Sequence, residues 1–113
     1  MMDGMNFLER YLNLAAQRQS VVVTNMANVD TPGYRTRDID FRSELQRAAF
    51  NDPATMTTVG QEVRGLVERP DGNNVSLDRE GMAMAETQMQ YRVAVQVIRS
   101  EFHRLLTAIN EGK

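Results

Sequence analysis

Asp38 and Asp40 stand two residues apart, which puts both carboxylates on one face of an extended segment. Buried together, such a pair can do general acid–base work. In a solvated turn it only carries charge, and that is the default reading here. His103 follows Phe102 near the end of a helical pattern, where the helix dipole favours a protonated imidazole. It reads as a surface or interface histidine. The chain has no cysteine, which excludes disulfides, thiolate zinc sites and cysteine nucleophiles. A single histidine leaves no double-histidine metal motif, and no phosphate-binding glycine loop is present. Arg35, Arg37, Arg42 and Arg47 alternate with acids, and 13 basic against 15 acidic residues give a net charge of -2. No field exists to recruit nucleic acid or an anionic membrane. The residues therefore predict no catalytic group, no cofactor, no metal, no nucleic acid and no small-molecule substrate.

The elements around these residues are more informative. With 113 residues the prior is one domain. No run approaches 18 apolar residues, so no membrane span is expected. Asp3, Glu9 and Arg10 interrupt the start, and no signal peptide is expected. Residues 5–28 read as a helix: Met5, Leu8, Leu12, Ala15, Gln19, Val22 and Met26 recur at spacings of three and four. Residues 77–110 read as a longer helix of about 50 Å, with Ser76 as N-cap and Asp78 and Glu80 in its first turn. Its seam is Leu77, Gly81, Met84, Gln88, Tyr91, Val95, Ile98, Phe102, Leu105 and Ile109, a heptad pattern. The first helix, roughly 36 Å long, cannot cover that whole seam, so part of it should be buried by other chains. The expected fold is mainly α, with the two long amphipathic helices packed as an antiparallel coiled coil around an extended and looped segment.

Between the helices, residues 29–50 form a turn followed by an extended and short helical segment. Pro32 cannot continue a helix, and Pro32-Gly33 suits the centre of a type II turn with Gly33 at positive φ. Tyr34 to Phe41 should be extended. A short helix should follow from Phe41 through Leu45, Ala48 and Ala49, capped by Asp40. Residues 51–74, with Pro53, Gly60, Gly65, Pro70 and Gly72, read as a flexible loop with a weak hairpin around Val63–Val67.

The turn carries a recognisable pattern. Asn25, Asn28, Thr31, Gly33 and Tyr34, with Ala27 and Pro32 between them, match an Asn-x-x-Asn-x-x-Thr-x-Gly-Phe/Tyr signature. Helical asparagines can bond nearby backbone before the proline and glycine turn the chain. This stretch resembles the signature of the bacterial flagellar rod and hook axial proteins. The segments 34–41, 74–80 and 85–91 are similar to the proximal-rod members of that family. The resemblance covers roughly residues 5–50 and 73–110.

That resemblance implies a structural component of the flagellar basal-body rod, without enzymatic activity, that polymerises through its terminal helices and transmits torque in motility. Its partners would be other copies of itself, other rod proteins, the adaptor between the MS ring and the rod, and the flagellar export gate. It would leave the cytoplasm through the flagellar type III apparatus without a cleaved signal and reside in the periplasmic rod. The assembly seam would comprise Leu8, Leu12, Ala15, Val22 and Met26 with Met84, Tyr91, Val95, Ile98, Phe102, Leu105 and Ile109. Phe41 and Leu45 match a Phe-x-x-x-apolar export motif, as do Phe7 and Tyr11. The rival from another class is a helical adaptor or chaperone that binds through an apolar coiled-coil face.

Overall fold

The computed structural model describes residues 2–49 and 60–112. In chain order the elements are α1 (Met2–Ala27), β1 (Arg37–Asp38), α2 (Phe41–Ala49), β2 (Gln61–Glu62) and α3 (Leu77–Glu111). The 51–59 part of the expected loop lies outside the described residues, as do the side chains of Met5, Ala48 and Ala49.

The two long helices run antiparallel. Asn25 meets Glu80, Arg18 meets Glu86, and Gly4–Tyr11 share a groove with Val93–Glu101. At 1.5 Å per residue α1 is about 39 Å long and α3 about 52 Å, so the C-terminal end of α3 overhangs its partner. The molecule measures 69 × 26 × 18 Å with a radius of gyration of 18.0 Å, against about 13 Å for a compact chain of this length.

The helix boundaries have local causes. Ser76 caps α3 by accepting from the Arg79 N–H at 3.3 Å, with Asp78 and Glu80 in the positive first turn. Asp40 caps α2 as expected: its carboxylate accepts from the Ser43 N–H at 3.3 Å and the Ser43 hydroxyl at 2.9 Å. α2 lies on α1 through an edge-to-face pair of Tyr11 and Phe41, with ring centroids 5.1 Å apart. The apolar core is small: Leu14, Ala15, Val22, Ile39, Val75, Ala83 and Ala94.

No hairpin forms within Val63–Val67. Instead β2 pairs antiparallel with β1, Arg37 opposite Glu62 and Asp38 opposite Gln61. The Val63 N–H extends the pairing to the Thr36 carbonyl at 2.9 Å. Gly60 makes the approach to β1 feasible: its φ is +80°, and a Cβ there would stand 3.2 Å from the Asp38 carbonyl oxygen.

Candidate functional site

The asparagine signature builds a buried polar clasp that ties the end of α1 to the start of α3. Asn25 is fully buried, in the last turn of α1. Its amide donates to the Arg37 carbonyl at 2.7 Å and to Glu80 Oε1, and its oxygen accepts from the Tyr34 hydroxyl at 3.0 Å and the Arg37 N–H at 3.1 Å. All four hydrogen-bonding positions of the side chain are thereby used. Glu80 is fully buried as well, and its second oxygen accepts from Arg79 at 2.9 Å. The Tyr34 phenol is pushed above its ordinary pKa, chiefly by burial, with Glu80 adding to the rise and Arg37 opposing it. That keeps it a neutral donor to Asn25.

Asn28 caps the other side of the turn. Its amide donates to the Thr24 carbonyl at 2.8 Å, and its oxygen accepts from the Thr31 hydroxyl at 3.0 Å. The Tyr34 N–H closes on the Thr31 carbonyl at 3.1 Å around Pro32 and Gly33, with Gly33 at φ 75°. This is the type II geometry that Pro-Gly suits. Ala27 is the last residue of α1 and exposed.

A second segment, 69–75, clamps the turn from outside. Asn73 is fully buried and donates to the carbonyls of Asn28 at 2.9 Å and Thr31 at 2.8 Å. The Gly33 N–H donates to the Asp71 carbonyl at 2.9 Å. Asn74 accepts from the Thr36 N–H at 2.6 Å, and the Thr36 hydroxyl donates back to the Asn74 carbonyl at 3.1 Å. Arg69 donates to the carbonyls of Val29 and Val75. Residues 69–74 belong to the segment expected to be a flexible loop, yet here Arg69, Asp71, Asn73 and Asn74 are each bonded to the turn or to the segment that follows it.

Asp38 and Asp40 do not work as a pair. Asp38 accepts from Arg18 at 3.1 Å and Arg79 at 2.9 Å, while Asp40 caps α2. The solvated-turn reading fails for Asp38, because two guanidinium groups from α1 and α3 converge on it. Arg18 also bonds Glu86 at 2.9 Å. Burial works against its charge, yet the hydrogen bonds and charges of Asp38 and Glu86 outweigh that and raise its pKa. His103 is exposed. Among the described residues no acidic or histidine cluster could hold a metal ion.

The heptad positions are distributed unevenly. On α1, Ala15 and Val22 are buried within the subunit, and Leu8, Leu12 and Met26 are half-buried. On α3 the residues buried against α1 are Glu80, Ala83, Thr87 and Ala94, none of them in the expected seam. The seam lies one residue further round: Met84, Tyr91 and Ile98 are half-buried, and Val95, Phe102, Leu105 and Ile109 are exposed. The reason is the polar clasp, whose inward-facing members, Arg18, Asn25 and Glu80, fall outside an apolar repeat. Phe41 and Leu45 are half-buried. An apolar groove of about 550 Å³ opens at the distal end, lined by Phe7, Leu8, Tyr11, Val93, Ala94 and Val97.

Reasoning from sequence missed Arg18, Thr36, Arg69, Asn73 and Glu80 as clasp residues. The doublet Asn73-Asn74, just before the α3 N-cap, was the available signal, since paired asparagines outside a helix commonly bond backbone.

The sequence that builds this arrangement is similar to that of known proteins. The family described as flagella basal body rod protein matches residues 5–35, which hold most of α1 and the signature turn. The chain is 33% identical to the flagellar basal body rod protein FlgB of Escherichia coli (strain K12), over 96% of this chain and 94% of that one. It is 31% identical to FlgB of Salmonella typhimurium over the same shares. To FlgB of Borrelia hermsii it is 30% identical over 78% and 82%.

Proposed function

The chain belongs to the FlgB family of flagellar basal body rod proteins, structural components that assemble with other parts of the basal body, and from that premise we propose a division of labour between its two ends. The clasp sets the angle at which the chain leaves the helical hairpin. The apolar flank and overhang of α3 provide the assembly seam, with Met84, Tyr91, Val95, Ile98, Phe102, Leu105 and Ile109 packing against neighbouring subunits. The observation that carries this reading is the exposure of Phe102, at 61%, and Ile109, at 53%, in the free subunit. Large side chains in a helical row at that exposure are a surface awaiting a partner.

Within the basal body the place proposed is the proximal rod, in the periplasm, in contact with the adaptor to the MS ring and with the export gate. The subunit arrives through the flagellar type III apparatus without a cleaved signal, threads through as an unfolded chain, folds its clasped end by itself, and gains further helix, above all in the α3 overhang, on assembly. Its work is mechanical, transmitting torque, and not catalytic. Phe41 and Leu45 remain the proposed export motif. Phe41 leans on Tyr11 in the folded subunit, so the motif would be read before folding.

Far-UV circular dichroism against concentration, with sedimentation of the same samples, tests this reading. Helicity that rises as larger species form is the expected result. A discrete dimer with full helicity at low concentration would support the adaptor instead.

A further inference from the structure

Two stripes of α3 compete for the surface of α1. The stripe that faces it includes Glu80, Ala83, Thr87 and Ala94, all buried. Gln90 belongs to the same stripe, and its Oε1 is buried without a partner. The competing stripe, Met84, Tyr91, Val95, Ile98 and Phe102, lies one residue further along, about 100° around the helix. It is far more apolar, yet Met84, Tyr91 and Ile98 are only half-buried at the flank of α1, and Val95 and Phe102 are exposed. Burial of apolar area alone favours turning α3 to put this second stripe inside. The helix does not turn, so something stronger holds it.

The polar contacts supply that hold. A fully buried carboxylate is tolerable only with its partners in place. Glu80 has two, Asn25 from α1 and Arg79 from its own helix. Arg79 in turn reaches Asp38, and Arg18 reaches both Asp38 and Glu86. Turning α3 by one residue would carry Glu80 away from Asn25, leaving the buried Glu80 Oε1 without its donor and the Asn25 amide short of one acceptor. A polar residue at a core position of paired helices fixes their alignment in this way, at a cost in stability.

We propose that Glu80, through Asn25, is the residue that sets the rotation of α3, keeping the Met84–Phe102 stripe at the flank of the helix pair, with Val95 and Phe102 open to a neighbouring rod subunit, instead of letting it close fully on α1. The stripe runs without a break into Leu105 and Ile109 on the overhang, beyond the reach of α1, so α1 cannot cover it, and in a subunit that polymerises the occupant is a second copy. This identity of the occupant rests on the rod reading above. The rotation itself does not.

The chain has no cysteine, so engineered pairs report the rotation cleanly. Val22 and Ala83 lie one layer on from Asn25 and Glu80, three residues along each helix. In the native sequence, Val22→Cys with Ala83→Cys should form a disulfide on oxidation, and Val22→Cys with Met84→Cys should not. Adding Glu80→Leu should shift the yield at least several-fold towards the Met84 pair and reduce binding of a hydrophobic dye. Glu80→Gln keeps a hydrogen-bonding side chain and should retain the native pair. Motility of a strain carrying Glu80→Leu should be lost. Unchanged cross-links in Glu80→Leu would overturn the proposal. Shifted cross-links with normal motility would overturn the part that reserves the stripe for a neighbour. Should Glu80→Leu fail to fold, Val95→Gln with Phe102→Gln decides in the native background. An unchanged Tm of the subunit supports the outward stripe, and a large fall in Tm overturns it.

Discussion

At the clasp end Asn25, Thr36, Asn73, Asn74 and Glu80 are at most 2% exposed and bonded across three segments of the chain, whereas at the distal end Phe102 and Ile109 are more than half exposed. The usual arrangement, apolar inside and polar outside, is inverted between the ends of one helix pair. Hydrogen bonds can be completed within one chain, because the turn brings donors and acceptors into range. An apolar seam longer than its partner helix cannot be completed within one chain. The difference teaches what each kind of interaction does in this chain: polar pairing shapes the subunit, and the apolar overhang is left as the surface proposed to join subunits.

The largest expected effect breaks the distal end alone. Leu105→Asp places a charge in a surface proposed to become dry on assembly. Swimming should be lost, while far-UV circular dichroism of the dilute subunit stays close to that of the native protein. A subunit that unfolds would show that the overhang already packs within the chain.

Asn25→Ala should do the opposite, damaging the subunit itself. It removes four hydrogen bonds and takes a partner from the buried Glu80. The expected loss is about 3 kcal/mol in urea unfolding. A loss below about 1 kcal/mol would mean the clasp is more solvated than its burial implies.

A smaller effect is expected at the turn. Gly33 sits at φ 75° with open space around an added Cβ, so Gly33→Ala incurs backbone strain only, about 1 kcal/mol. The same measurement checks it, and a loss of several kcal/mol would reveal a steric contact at this position.

The smallest effect is a pH dependence at α2. The Asp40 carboxyl is held below its ordinary pKa by its hydrogen bonds with Ser43. A depressed carboxylate stabilises the fold above its unfolded pKa, and that contribution is lost as the pH falls through the folded value. Asp40→Asn should remove this acid-side dependence, as read from the helical signal between about pH 5 and 2. An unchanged titration in that variant would assign the dependence elsewhere.

Much of the fold was legible in the sequence because its causes are local. The two helices, the Ser76 and Asp40 caps and the Thr31–Tyr34 turn each depend on residues within a few positions of one another. The signature asparagines were legible for the same reason, and Asn28 does bond backbone one turn away. The partners of Asn25 were not. Glu80 lies 55 positions along the chain, and a hydrogen bond between two polar side chains leaves no periodic mark in either helix. The 69–75 segment looked like a loop from its glycines and proline, and only its contact with the turn accounts for the two bonds that the buried Asn73 amide donates. The apolar repeat of α3 was correct as a repeat. Which side of it faces α1 was decided by the tertiary structure, because a buried carboxylate and its amide partner outweigh the apolar area that a one-residue rotation would cover.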